Sequence, residues 1–147
     1  MSSTKSEASK ASFEDVIARD GELFFTNEGC SMLPLIHPKQ DILHIKKIDK
    51  ELEVGDIVLY SDRPHHYVLH RIIRIKGDGS FICAGDNNHW KDRPIKKELI
   101  IGRLKDITHP DGKTIDLDQD PNEARRMAKS HWKRAIALRI NRLLRKR

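Results

Sequence analysis

The chain has 147 residues, of which 37% are hydrophobic and 34% are charged, and these values fit a single domain with a modest core. The positive charge is concentrated near the C-terminus. Residues 121–147 contain ten of the 28 basic residues and one of the 22 acidic residues, which leaves residues 1–120 with a net charge of −3. Because the body is slightly acidic, we do not expect nucleic acid as a partner.

The sequence also limits the compartment. No run of 18 apolar residues predicts a membrane span, and the polar N-terminus lacks the apolar centre of a signal peptide. The two cysteines, Cys30 and Cys83, are too few for a disulfide framework. We therefore expect a cytoplasmic protein.

The N-terminal part predicts a short helix after a disordered start. Residues 1–11 are mainly Ser, Lys, Thr and Ala, a composition typical of disorder. Ser12 and Asp15 have the spacing of a capping box, and Gly21 is a suitable C-terminal cap. We therefore expect a helix over Phe13–Arg19.

Six strand-like segments follow, each bounded by turn residues. They are Glu22–Thr26, Asp41–Ile45, Asp56–Tyr60, Tyr67–Ile75, Phe81–Ala84 and Leu99–Ile107. The glycine-rich stretch Lys76–Ser80 predicts a β-hairpin between two of them. Because these strands are short and no helices separate them, we expect a mainly β protein with an antiparallel sheet, whose domain covers residues 12–115.

The C-terminal part predicts a turn and then a basic helix. Pro110-Asp111-Gly112 is a typical turn sequence, and the helix is expected over residues 121–147. One apolar stripe at helical spacing is formed by Trp132, Ile136, Ile140 and Leu143. This stripe could pack on the sheet, bind an anionic membrane surface as in a peripheral membrane protein, or dock to an acidic partner.

Three short stretches contain the residue types that serine hydrolases need. They read GCSMLP at 29–34, VLHRII at 68–73 and AGDNNHWKDR at 84–93. A serine hydroxyl is a weak nucleophile and requires a nearby base, which is most effective when a carboxylate orients it. Ser31 and His70 supply the first two groups, and either Asp86 or Asp92 supplies the third.

Each stretch also has a simpler structural interpretation. Ser31 could be a turn serine, since Pro34 ends a strand near it and Gly29 permits an unusual φ or a close backbone contact. His70 could be a core histidine on one face of a strand. However, Arg71 follows it within an aliphatic segment, and burial of two such groups is unfavourable without partners. This combination favours a functional role.

The order of the blocks resembles the type I signal peptidases, which are membrane-associated serine proteases, and the wider superfamily that includes self-cleaving repressors. The similar blocks are Ser31-Met32-Leu33-Pro34, Gly55-Asp56-Ile57-Val58, His70-Arg71-Ile72-Ile73 and Gly85-Asp86-Asn87-Asn88. The resemblance spans residues 22–107 and implies the compact antiparallel sheet or partial barrel of that catalytic core. The His-Arg block is similar to the branch of the family that uses a histidine base.

The resemblance implies a serine endopeptidase that acts on a specific precursor or leader peptide, as in bacterial peptide processing, without metal or organic cofactor. It implies Ser31 as nucleophile, His70 as general base and then acid, and Asp92 as the group that orients His70. Asp86 would be a supporting or alternative acid. The implied oxyanion and substrate-binding residues are Gly29, Cys30, Met32 and Pro34.

Some features depart from the family, and other functions remain open. The chain shows no membrane anchor, and relatives often have a serine at the position of Gly29, where its hydroxyl can assist the oxyanion site. Cys30 is a further candidate nucleophile, although nothing in the resemblance favours it. The histidines show no HExxH motif and the cysteines no CxxC motif, so no metal site is predicted. The alternatives are a non-catalytic binding module that acts through residues 121–147, or a self-cleaving regulator, which would need an upstream DNA-binding domain.

Overall fold

A computed structural model describes residues 11–119 and 144–145. The predicted disorder over residues 1–11 falls outside this part of the chain except at Ala11. The predicted helix over residues 121–147 also falls outside it, apart from two residues. The architecture below therefore concerns the N-terminal helix and the sheet.

Helix α1 (Phe13–Asp20) has the predicted caps at both ends. The Asp15 backbone N–H donates to Ser12 Oγ at 3.1 Å, and the Ser12 N–H donates to the Asp15 carboxylate at 3.3 Å. Gly21 ends the helix with φ of 74°, a conformation that glycine adopts without strain. Among the described residues, no helix is long and apolar enough to cross a membrane.

Seven strands follow the helix. They are β1 (Glu22–Phe25), β2 (Ile42–Lys46), β3 (Ile57–Arg63), β4 (His66–Ile75), β5 (Phe81–Ala84), β6 (Ile100–Thr108) and β7 (Thr114–Asp116). The first six correspond to the predicted strands, whereas β7 was not predicted. A short 3-10 helix (Lys97–Leu99) precedes β6, so this strand begins one residue later than expected.

All seven strands form one antiparallel sheet in the order β1-β2-β6-β3-β4-β5. Along one edge of β6, the first half of the strand pairs with β3 and its last residues pair with β7. The predicted hairpin joins β4 to β5, where the Lys76 N–H donates to the Ser80 carbonyl at 2.9 Å. The prediction of a mainly β protein with an antiparallel sheet is confirmed, and the sheet is open. Its last strand ends at Asp116, one residue beyond the expected end of the domain at residue 115.

The hydrophobic core has two parts, because β3 is buried on both faces. Ile57 and Leu59 face the first cluster, and Val58 and Tyr60 face the second. The first cluster also contains residues from α1, β1, β2 and β6. The second is completed by Leu52, Ile72, Phe81, Cys83 and Ile95. Successive side chains of β3 therefore pack in different core clusters.

Candidate active site

Strand β4 places His70 and Arg71 on opposite faces of the sheet. In the register with β3, Val58 pairs with His70 and Ile57 pairs with Arg71. His70 lies on the face of the second core cluster, and Arg71 lies on the face of the first, because side chains alternate along a strand. Both residues are buried, with 8% and 1% of their surface exposed.

A chain of polar contacts runs through His70. Its Nε2 atom lies 3.1 Å from Ser31 Oγ, and its Nδ1 atom contacts Asp92 Oδ2. The His70 and Asp92 side chains are 10% and 16% exposed, and Ser31 is partly exposed. The imidazole therefore bridges a hydroxyl and a carboxylate, and the hydroxyl belongs to a partly exposed residue.

Tyr60 extends this chain and was missed by the sequence reasoning. Its hydroxyl donates to Asp92 Oδ2 at 2.6 Å. Burial, followed by the hydrogen bond and charge of Asp92, raises the pKa of Tyr60 well above its ordinary value, so the hydroxyl remains a donor. The signal lies in the strand register of the folded sheet: Tyr60 is two residues from Val58, which pairs with His70, and therefore shares its face.

The backbone around Asp92 is held against β5. The Asp92 N–H donates to the Cys83 carbonyl at 2.8 Å, and Phe81 and Ile95 exchange two backbone hydrogen bonds. Burial and the nearby Asp92 charge raise the pKa of Cys83 to about 12, so its thiol is neutral. These contacts hold the Asp92 backbone against β5. The neutral Cys83 thiol places no second negative charge beside the Asp92 carboxylate.

The Gly85–Asn88 block supports the segment that carries Ser31. The Asn87 N–H donates to the Ser31 carbonyl at 2.8 Å, and Asn87 Nδ2 donates to the Cys30 carbonyl at 3.2 Å. At Gly85 a Cβ atom would lie 2.6 Å from the Ser31 carbonyl oxygen and 2.9 Å from Ser31 Cβ. Glycine is needed there because the Ser31 backbone passes directly against it.

The second candidate acid, Asp86, occupies a different place. Its two carboxylate oxygens accept hydrogen bonds from Arg71 Nε and Nη2 at 2.8 and 2.9 Å. Arg71 Nη1 also donates to the Gly55 carbonyl at 2.9 Å. Asp92, and not Asp86, therefore contacts His70. Asp86 binds Arg71 of β4, and Arg71 in turn contacts the turn before β3.

The residues expected at the oxyanion and substrate-binding site lie in two environments. Gly29, Cys30 and Pro34 are exposed, whereas Met32 is fully buried in the first core cluster. The expected reason for a glycine at Gly29 is wrong: its φ is not positive, and a Cβ there would meet nothing within 4 Å. The close approach that requires glycine occurs at Gly85 instead.

A groove of about 720 Å³ lies away from these residues, between α1, the end of β3 and the start of β6. Its lining includes neither Ser31, His70 nor Asp92. The candidate site is therefore defined by its hydrogen-bond geometry and not by this cavity.

Comparisons with known proteins do not add to this assignment. Neither the protein-family models, nor the curated proteins, nor the solved structures gave a match to this chain. The interpretation of the site depends on its own geometry and on the sequence blocks described above.

The arrangement can perform one recognisable kind of chemistry. A hydroxyl, an imidazole and a carboxylate in sequence allow the imidazole to accept the hydroxyl proton while the carboxylate stabilises the resulting cation. Three segments far apart in the sequence meet to form this chain, since Ser31 and His70 are 39 positions apart and His70 and Asp92 are 22 apart.

Proposed function

We propose that this protein is a serine endopeptidase that cleaves a peptide bond in a specific precursor or leader peptide. The observation that carries the proposal is the continuous contact from Ser31 through His70 to Asp92. Both ring nitrogens of His70 have partners. The nitrogen opposite Asp92 contacts the hydroxyl of a serine that is partly exposed, which is the arrangement that nucleophile activation requires.

The proposed reaction begins with attack of Ser31 Oγ on the scissile carbonyl carbon. His70 Nε2 accepts the hydroxyl proton, and Asp92 holds the proton on Nδ1 and stabilises the imidazolium. His70 then gives its proton to the leaving amine, which departs as the acyl-enzyme forms. Water, deprotonated by His70, hydrolyses the ester and restores Ser31.

The Ser31 backbone N–H is the proposed donor to the tetrahedral oxyanion, an interaction worth about 3–4 kcal/mol per donor in acyl-transfer enzymes. The hydrogen bonds from Asn87 to the Ser31 and Cys30 carbonyls support this function, because they fix the peptide groups next to the nucleophile. Gly85 supports it further by allowing the two segments to lie in contact.

The choice of a peptide bond rests on the resemblance to the type I signal peptidases. The contacts give a physical function to each block of that resemblance: Ser31 and His70 face each other, and Gly55 and Asp86 hold Arg71. The order of these blocks and their mutual contacts are consistent with one active site. The substrate sequence is left to experiment.

Serine rather than cysteine is proposed as the nucleophile for a geometric reason. Cys30 is exposed and immediately precedes Ser31, but the atom that lies within hydrogen-bond distance of His70 Nε2 is Ser31 Oγ. A thiol without a base in contact gains no activation from the imidazole.

The first test is intact-protein mass spectrometry after treatment with a serine-directed fluorophosphonate, together with cleavage assays on a defined peptide library. We expect one adduct per chain, mapped to Ser31, and cleavage at a restricted set of peptide sequences. Both should be lost in Ser31→Ala and in His70→Ala. Ser80→Ala, in the β4–β5 turn, is the matched serine control and should behave as wild type.

Folding must be verified for each variant by circular dichroism and thermal unfolding. Cleavage that persists in a folded Ser31→Ala protein would contradict the assignment of the nucleophile. A folded wild-type protein that shows neither adduct nor cleavage would favour the binding-module alternative, in which residues 121–147 carry the function.

A further inference from the structure

A second cluster of titratable side chains lies outside the candidate active site. Asp41 Oδ1 lies 2.8 Å from His109 Nδ1, and Asp41 Oδ2 lies 3.4 Å from His37 Nδ1. One ligand atom from each of the three side chains can be chosen so that all lie within 4.8 Å of one another. The sequence predicted no metal site because it has no HExxH or CxxC motif, and His109 is 72 positions from His37.

Burial distinguishes this cluster from a surface group. The Asp41 side chain has no exposed surface, whereas the side chains of His37 and His109 are 50% and 23% exposed. The Asp41 carboxylate accepts a hydrogen bond from the His37 backbone N–H at 2.8 Å and contacts both imidazoles.

The donor set and spacing fit a transition metal. Two imidazoles and one carboxylate suit zinc and similar divalent ions, whereas magnesium and calcium prefer oxygen ligands alone. A tetrahedral zinc with bonds of about 2.0–2.2 Å has ligand atoms roughly 3.3–3.6 Å apart. The 3.4 Å between Asp41 Oδ2 and His37 Nδ1 lies in this range, whereas the 2.8 Å between Asp41 Oδ1 and His109 Nδ1 is a hydrogen-bond distance. The last two atoms would separate by about 0.5 Å to admit the metal.

We propose that His37, Asp41 and His109 form a zinc-type metal site, with the fourth position open to water. The site would join two parts of the chain. His37 and Asp41 bound the turn that leads from the Ser31 segment into β2, and His109 begins the turn between β6 and β7. Metal binding there would stabilise the end of the segment that starts at Ser31.

The alternative is a hydrogen-bonded His-Asp-His network that binds no metal. Such a network already satisfies the buried Asp41 carboxylate, and zinc would replace a proton shared between Asp41 and His109. The two possibilities differ in whether the chain binds one equivalent of metal with defined ligands, which can be measured directly.

The experiment uses the full chain, free of any histidine tag and stripped of metal with a chelator. Cobalt(II) is titrated first, because its visible absorption reports an ordered nitrogen and oxygen coordination shell, and zinc is then added in competition. We expect one cobalt per chain, displacement by zinc, and a rise in the midpoint of thermal unfolding with zinc but not with magnesium.

Two variants and one control locate the site. His37→Gln and His109→Gln should each weaken zinc binding by at least about tenfold, since loss of even an outer partner of a metal ligand costs that much. His65→Asn, which removes an exposed histidine in the β3–β4 turn, should bind zinc as wild type does. His37 is half exposed, so its variant is expected to fold even if that of His109 does not.

Absence of saturable cobalt or zinc binding by the wild type would overturn the proposal. Unchanged affinity in a folded His37→Gln protein would overturn it as well, because the bound metal would then lie elsewhere. None of these readouts depends on peptidase activity, so the metal site and the proposed function can fail separately.

Discussion

Two adjacent residues of β4, His70 and Arg71, each pair with an aspartate. The two pairs differ in exposure and in the other group that the basic side chain contacts. Arg71 and Asp86 are almost completely buried, and both Asp86 oxygens accept hydrogen bonds from the guanidinium. In the other pair, His70 contacts Asp92 through one ring nitrogen only, and its second nitrogen faces Ser31.

This difference separates a structural pair from a candidate catalytic pair. A buried guanidinium–carboxylate pair cannot lose its proton at ordinary pH and has little freedom to accept another ligand. An imidazole can accept and release a proton near neutral pH. The alternation of side chains along β4 therefore puts a fixed support on one face and a candidate catalyst on the other. Four single substitutions test whether the two pairs differ in this way.

The largest effect is expected when the His70–Asp92 pair is altered. Asp92→Asn should lower kcat/KM about 10³–10⁴-fold, because an amide does not hold the His70 proton on Nδ1 and cannot stabilise the imidazolium. Cleavage kinetics on the best library peptide would measure this. Asp62→Asn is the matched control, since Asp62 contacts His66 on the exposed surface and should leave the rate unchanged.

The buried pair should respond in stability. Asp86→Asn removes the carboxylate charge that pairs with the buried Arg71 guanidinium and is expected to lower the free energy of unfolding by about 3–5 kcal/mol. Urea denaturation would measure the loss. The double variant Arg71→Met with Asp86→Leu should be less destabilised than Asp86→Asn; equal or greater loss in the double variant would argue against the uncompensated charge as the cause.

A smaller effect is expected from Gly85→Ala. The added methyl would meet backbone of the Ser31 segment, and such overpacking typically costs about 1–3 kcal/mol. A displacement of Ser31 by about 1 Å could also reduce the rate about 100-fold. Gly29→Ala, where a Cβ meets open space, is the stability control and should change the free energy of unfolding by less than about 0.5 kcal/mol.

The smallest effect on the cleavage rate is expected for Tyr60→Phe. It removes a hydrogen bond to a charged group, worth about 1.5–3 kcal/mol in stability, while the ring remains in the core. Without the Tyr60 hydroxyl, one hydrogen bond that holds the Asp92 carboxylate beside His70 is lost. We expect a rate loss of about tenfold on the best library peptide. An unchanged rate would show that Tyr60 does not position Asp92 for catalysis.

The helix, the positions of six strands along the chain and the residue types at the candidate site were predictable from the sequence. Capping of α1 depends on Ser12, Asp15 and Gly21, which lie within one short segment, and the strands follow from local alternation between turn residues. Strand β7 was missed because Thr114–Asp116 is short and polar and exists only by pairing with β6.

The amino-acid sequence specifies which residue types are available: a serine before a proline, a histidine next to an arginine, and two aspartates in one polar stretch. The folded chain specifies how they pair. It joined Asp92 to His70 and Asp86 to Arg71, added Tyr60, and brought His37 and His109 to Asp41. The physical reason is that strand register and sheet order set distances between residues tens of positions apart, whereas local sequence patterns report on neighbours along the chain.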